Sequence, residues 1–259
     1  MYSLKINVLF MVYKSKLTLS QMENITMTTG KQFVEQLRKD NEALFTASKM
    51  NVKAYFESKD NSAEALVEHF TGRMVNERMN MVEISAKVAS MPADADPIEL
   101  QNLSKQAMDE AIHFRMVKEC IEKITGEELD VAAAMAAEAA KPQAKGADLL
   151  DAYEASTDDA ALAVYQMVAE GRASAVWSQM AETIEDSFIA KSYAKIAKDE
   201  GFHATIGEMK LEEIATTPEV QAHVLEIVDG MRRDLYNVSC ENTMKAEGSD
   251  ELVKEAYGW

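Results

Sequence analysis

Apolar positions recur at helical spacing almost without interruption from Lys31 onward, and the breaks in that pattern divide the chain into helices. Over Lys31 to Ser58 the inner positions Phe33, Leu37, Leu44 and Phe45 predict an amphipathic helix or a helix pair. Asn61 and Ser62 offer N-cap chemistry to a long helix that runs to about Met91. It stops at the segment between Pro92 and Pro97, because neither proline donates a backbone hydrogen bond. A second long helix runs from Pro97 or Ile98 to about Thr125, with Gly126 placed to end it. The Ala-rich piece Val131 to Ala140 reads as helical, Pro142 and Gly146 interrupt the pattern beyond it, and Glu127 to Ser156 as a whole reads as a long crossover. A third long helix starts at the Thr157-Asp158-Asp159 cap and reaches about Glu182, and a fourth runs from near Asp186 to about Ala215. Thr216-Thr217-Pro218 opens a final helix to roughly Asn242.

Neither a strand pattern nor a solenoid repeat emerges. The pattern is that of two helical hairpins joined by a crossover, with further helices before and after them. Residues 1–30 are expected to form a loosely structured N-terminal extension, with Met27 as an alternative start, and residues 31–259 a single domain whose bundle spans about 62–215.

Composition agrees with an all-α chain. Only 10 Gly and 4 Pro punctuate it, against 17 Met and a hydrophobic content of 47%, which argues against both an all-β fold and a disordered chain. The 44 acidic and 27 basic residues leave a net charge of −17, and no nucleic-acid partner is expected because phosphate neutralisation needs clustered Lys and Arg. The apolar run Ile6 to Tyr13 is too short to span a bilayer and no small-residue cleavage site comes after it. Cys120 and Cys240 form no CxxC pair and read as ordinary thiols of a reducing compartment. The expected location is therefore cytoplasmic.

Chemistry enters through the histidines. Two of the four stand in the same context, Asp109-Glu110-Ala111-Ile112-His113 and Asp199-Glu200-Gly201-Phe202-His203. A lone ExxH in so acidic a chain means little, but this repetition is specific. Residues i and i+3 lie on one helical face, so each Glu and its His can reach the same metal ion. Two such motifs, each supplemented by one Glu from another helix, make a six-ligand carboxylate centre for two irons or manganese. Asp109 and Asp199 are candidates to accept from an imidazole N–H.

Depth along the hairpins selects the other two acids. Glu170 and Glu200 each lie fifteen residues from the turn near Glu185, and Glu77 and Glu110 lie at matching depth about the Pro92–Pro97 turn. Glu77 is also in register with Phe70, Met74, Met81, Ile84 and Val88, whereas Glu83, the fallback, is flanked by Met79, Asn80 and Lys87. Met116, Trp177 and Tyr193 fall near the ligands and are read as core, as pocket lining or as hydrogen-bond donors to a ligand carboxylate. Gly201 marks close packing or room for a ligand, and His69 and His223 read as surface or core-edge residues.

Over roughly Ser62 to Ala215 the chain resembles the ferritin-like non-haem di-iron superfamily. The stretch Lys198 to Glu208 is similar to the fourth-helix motif of aldehyde-deformylating oxygenases and to motifs of bacterial multicomponent monooxygenases and tRNA hydroxylases. The chain departs from rubrerythrins in having Ala173 where a second glutamate would stand, and in lacking a C-terminal CxxC pair. Ile112 and Phe202 replace the arginine of the DExRH form common in the monooxygenases.

The resemblance implies an all-α, ferritin-like four-helix bundle with additional N- and C-terminal helices. It implies metal ligands, and thus the catalytic set, at Glu77, Glu110, His113, Glu170, Glu200 and His203, holding two iron ions with Mn/Fe as the alternative pairing. The expected function is that of a di-iron oxygenase or oxidase that activates O₂ against a small, largely apolar organic substrate. The expected partners are a ferredoxin or flavoprotein reductase as electron donor and, in assembly, a second copy of the chain. A ferroxidase or iron-handling protein, ferritin-like or rubrerythrin-like, is the alternative reading.

Overall fold

The structure, a computed structural model, describes residues 29–57, 62–141, 153 and 158–245, apart from the side chains of 54–57 and 236–245. Residues 1–28 of the predicted extension, Asn61, Pro142, Gly146 and the Cys240 side chain lie outside the described residues. Seven helices and no strand occur among those described: α1 Gly30–Glu57, α2 Ala63–Ser90, α3 Pro97–Thr125, α4 Val131–Ala139, α5 over residues 159–183, α6 Ser187–Ile214 and α7 Pro218–Lys245. The segment predicted as a helix or helix pair is one unbroken helix, since neither Gly nor Pro interrupts residues 31–57.

Local chemistry sets the boundaries. Ser62, Asp96, Asp130, Asp158 and Asp186 each accept a hydrogen bond from a first-turn backbone N–H, which satisfies a donor that the helix itself leaves open. Gly126 ends α3 in the left-handed region at φ 72°, where a side chain would be strained.

Helices α2 and α3 pack as one antiparallel hairpin and α5 and α6 as another. Two apolar layers cross all or most of them. Ile84, Leu103 and Leu162 make one layer, and Phe70, Val117, Ile121, Trp177, Tyr193 and Ile196 belong to the other. Reading along the chain, α3 and α5 both pass from the first layer to the second, so they run in the same direction. That is why a long connection, and not a tight turn, separates them.

Helix α5 is the central element of the second hairpin. Every residue from Ala160 to Val168 is buried, Gln166 being the one uncharged polar amide among them, and a segment this apolar must be enclosed on all sides. The enclosure comes from α1 through Phe33, Val34 and Leu37 and from α7 through Val224, Val228 and Met231. The helices flanking the bundle thus form a second core around the first half of α5. Among the described residues, no helix is long and apolar enough to cross a membrane.

Candidate metal centre

All six residues singled out by spacing meet between the two apolar layers. Glu77 comes from α2, Glu110 and His113 from α3, Glu170 from α5, and Glu200 and His203 from α6; none is more than 3% exposed. They form two overlapping groups, Glu77, Glu110, His113 and Glu200 on one side and Glu110, Glu170, Glu200 and His203 on the other. Within each group the ligand atoms lie within 4.8 Å of one another. Glu83 belongs to neither group, which favours Glu77 as the α2 acid. Asn80, which periodicity sets beside Glu83 on the outer face, is buried instead.

The shared acids divide their oxygens between the histidines. His113 Nδ1 faces Glu77 Oε2 at 3.4 Å, Glu110 Oε2 at 3.6 Å and Glu200 Oε1 at 3.9 Å. His203 Nδ1 faces Glu110 Oε1 at 3.2 Å and Glu200 Oε2 at 3.1 Å. Glu110 and Glu200 therefore occupy bridging positions, one oxygen toward each half.

The far nitrogens are held crosswise. His113 Nε2, on α3, bonds Asp199 Oδ2 of α6 at 3.1 Å, and His203 Nε2, on α6, bonds Asp109 Oδ2 of α3 at 3.3 Å. Each motif's aspartate thus orients the other motif's histidine. With Nε2–H donating to a carboxylate, each imidazole in its neutral form would turn its Nδ1 lone pair to the centre. Exposed Lys105 and Lys195 pair with the same Asp109 and Asp199 oxygens from the solvent side.

Arg73, one turn before Glu77, is the residue that spacing did not reveal. Its side chain is 12% exposed, its Nε lies 2.5 Å from Glu77 Oε1, and its Nη2 donates to Glu200 Oε1 at 2.6 Å. The guanidinium sits 4.6 Å above the Trp177 ring. A basic residue four before a buried acid was the signal available in the sequence.

Burial dominates the protonation of the cluster. It pushes Glu77 up to about 7 despite Arg73, and with Glu200 and Glu110 nearby it holds Glu170 well above the usual carboxylate range. Burial opposes the charge on His113 as well, but the hydrogen bond to Asp199 and the facing carboxylates of Glu110 and Glu77 prevail and raise it to about 12. His203 is raised in the same way by Asp109, Glu110 and Glu200. Protons here occupy the place of positive charge.

The donor set fits a pair of divalent cations. Glu77 Oε2, both oxygens of Glu110, Glu170 Oε1 and His113 Nδ1 are buried without a hydrogen-bond partner, an arrangement that apolar surroundings penalise and metal coordination satisfies, while Glu77 Oε1 meets Arg73. Four carboxylates and two imidazoles without sulfur suit iron or manganese rather than a structural zinc.

Glu170 reaches the centre from an irregular piece of helix. Within α5, the α-helical Asp159–Val164 and Gly171–Thr183 flank a π-helical turn, Tyr165–Glu170. Such wide turns re-aim the residues beyond them and recur at functional sites. Helix α6 closes on this turn at Gly207, where a Cβ would stand 2.4 Å from the Ala163 carbonyl oxygen and 2.7 Å from Met167 N. Gly201 is likewise a place of close packing, its Cβ direction meeting Ser174 Oγ at 3.2 Å.

Trp177 and Tyr193 are core residues of the second layer, with Met116 packed against them. The Trp177 N–H and Tyr193 O–H lack hydrogen-bond partners, so neither donates to a ligand carboxylate. His69 is exposed and packs its ring against Phe70 and Trp177, and His223 pairs with Asp158 at 2.6 Å. Burial pushes the Cys120 thiol up to about 11.

A cavity of about 100 Å³ opens on the side of the first layer, lined in part by Asn102, Leu103, Leu162, Gln166, Ile206 and Met209. Gln166 donates to Gln106 Oε1 at 2.8 Å, both amides being buried. The two glutamines stand four residues, one helical turn, before Glu170 and Glu110, and Gln166 also lines the cavity. The chain matches no family model, no curated protein and no solved structure.

Proposed function

We propose that this chain is a ferritin-like di-metal oxidoreductase, an oxygenase or oxidase that holds two irons, or manganese with iron, and acts on a small, largely apolar organic molecule. The observation that carries this reading is the division of Glu110 and Glu200 between two histidine-bearing halves, the donor pattern of two ions bridged by two carboxylates. Glu77 and His113 would complete one half, Glu170 and His203 the other. Two reduced ions there would supply the electrons and Lewis acidity that O₂ activation requires.

The chain's own residues do the rest. Asp199 and Asp109 hold the imidazoles with Nδ1 toward the centre, and the lysines behind them keep those aspartates ionised. The apolar layers exclude water, which strengthens electrostatic interactions inside and protects reactive species from quenching. Leu103 and Leu162, about two helical turns before Glu110 and Glu170, and Ile206, one turn beyond His203, offer an apolar berth, and the Gln106–Gln166 pair is the barrier a substrate must displace. A space of this size suits a molecule no larger than about a benzene ring. A ferredoxin or a flavoprotein reductase would return the electrons.

Anaerobic loading of the full chain with Fe(II), then exposure to O₂, tests the reading. Two irons per chain, O₂ uptake without mineral, and oxygenation of a small apolar additive are expected. Growth of an iron mineral inside a large cage would instead favour the ferroxidase reading. Glu200→Ala and His113→Ala should each lose the two-metal form while keeping helical content, and retention of two irons in either would refute the ligand set.

A further inference from the structure

The two halves of the bundle repeat one pattern with one informative break. Lys105, Asp109, Glu110 and His113 on α3 recur at the same spacings as Lys195, Asp199, Glu200 and His203 on α6, and the lysine–aspartate ion pairs recur with them. On the companion helices the residue four before the acid differs: Arg73 precedes Glu77, but neutral Gln166 precedes Glu170.

That difference falls on one side of the centre. Arg73 pairs with Glu77, which belongs to the His113 half alone, and with Glu200 Oε1, the oxygen that faces His113. Glu200 Oε2, facing His203, is the oxygen Arg73 leaves untouched. With the shared acids counted half to each side, each half carries two negative charges before Arg73 is included. The guanidinium cancels one of the two on the His113 side, and it occupies oxygens that an ion there would need. Gln166 turns to Gln106 and leaves the charge of the His203 half intact.

We infer that Arg73 makes the dinuclear site fill in a fixed order, a divalent cation entering the His203 half first and the His113 half second and more weakly. The inference rests on the dinuclear reading of the site. Arg73 acts here as a positioning residue, through the acids it pairs with, and its effect belongs to metal affinity before any turnover. A protein built this way holds one ion in dilute metal and becomes dinuclear only when the supply rises.

Titration of the metal-free full chain with Mn(II) alone, monitored by calorimetry and by electron paramagnetic resonance, separates the cases. The unsubstituted chain should show an isolated ion at one equivalent and a coupled pair only beyond it, with stepwise affinities at least about tenfold apart. Arg73→Gln should narrow that gap severalfold, leaving the repulsion between the two neighbouring cations, while Arg73→Lys, which keeps the charge, should retain most of it. His203→Ala should lose the strong step and His113→Ala should keep it, a comparison that leaves Arg73 in place and stands even if its variants fold poorly. Equal steps in the unsubstituted chain, an unchanged gap in Arg73→Gln, or loss of the strong step in His113→Ala would each overturn the order while leaving a two-metal site intact. Absence of any Mn(II) binding would overturn both.

Discussion

Asp199 of α6 holds the imidazole of His113 on α3, its Oδ2 3.1 Å from Nε2, although Asp199 sits beside Glu200 in the motif of a different histidine. The reciprocal contact joins Asp109 to His203. The two motifs therefore orient each other across the bundle, and neither helix alone can present its histidine correctly.

Asp199→Asn should accordingly impair the His113 half rather than the adjacent Glu200. An amide can still meet Nε2, but it removes the charge that favours the required tautomer. A loss of about 10- to 100-fold in metal affinity is expected with little change in helix content. Asp109→Asn should act in the same way on the His203 half. Metal titration of the two variants checks this, and an effect of Asp199→Asn confined to the His203 half would contradict the crossed arrangement.

Gly207→Ala should destabilise the chain although alanine is the better helix former. The added Cβ would stand 2.4 Å from the Ala163 carbonyl oxygen and 2.7 Å from Met167 N, backbone atoms that move only if α5 and α6 separate. Overpacking of this kind costs about 1–3 kcal/mol, more than the roughly 1 kcal/mol that alanine gains in a helix. Separation would also draw Glu200 and His203 away from Glu170. Thermal denaturation together with metal stoichiometry measures both effects.

Much of the site was legible in the sequence because helical register is a local property. Glu77, Glu110, His113, Glu170, Glu200 and His203 converge in space as depth and periodicity require, the caps at Ser62 and Asp158 lie where their side chains predict, and α6 starts beside Asp186 as expected. What escaped depends on neighbours distant in sequence. Arg73 matters because α6 brings Glu200 to it, and the crossed aspartates because α3 and α6 are adjacent. The π-helical turn lies where α6 closes on α5 at Gly207, a contact between segments distant in sequence. The run from Ala160 to Val168, apolar but for Gln166, did carry a readable signal, since a helix with so little polar surface needs cover, and α1 and α7 supply it.

The metal-free chain should lose stability as pH rises. Glu77 titrates near 7 in the folded chain, above its unfolded value, so between pH 4.5 and 7 the folded form holds more protons and stability falls with increasing pH. His113, raised to about 12 from 6.5, extends that loss above pH 6.5. Asp199, lowered to about 2, works in the opposite sense only below its unfolded value of 3.8. His69, lowered to about 4, offsets Glu77 below pH 6.5, so the decline contributed by Glu77 and His113 should be steepest through and above neutrality. Divalent metal should reverse the trend, because ions displace these protons and bind more tightly as pH rises. Denaturation midpoints measured with chelator and with Mn(II) from pH 5 to 8 should diverge. Parallel curves would contradict the displacement of protons by metal.

Filling the mouth of the surface cavity should separate access from chemistry. Asn102 lines it from α3 without touching the carboxylates, and it is half-buried, so a larger side chain can be accommodated without opening the core. Asn102→Trp would narrow the way to Leu103, Leu162 and Ile206 while leaving Glu110 and Glu170 where they are. If a small apolar substrate enters here and displaces the Gln106–Gln166 pair, KM should rise about tenfold with metal content, Mn(II) affinity and kcat unchanged, as expected for lost binding that the ground and transition states share. A fall in kcat with KM unchanged would contradict an entrance role. An unaltered KM for substrates of every size would direct the search for the entrance to another face of the bundle.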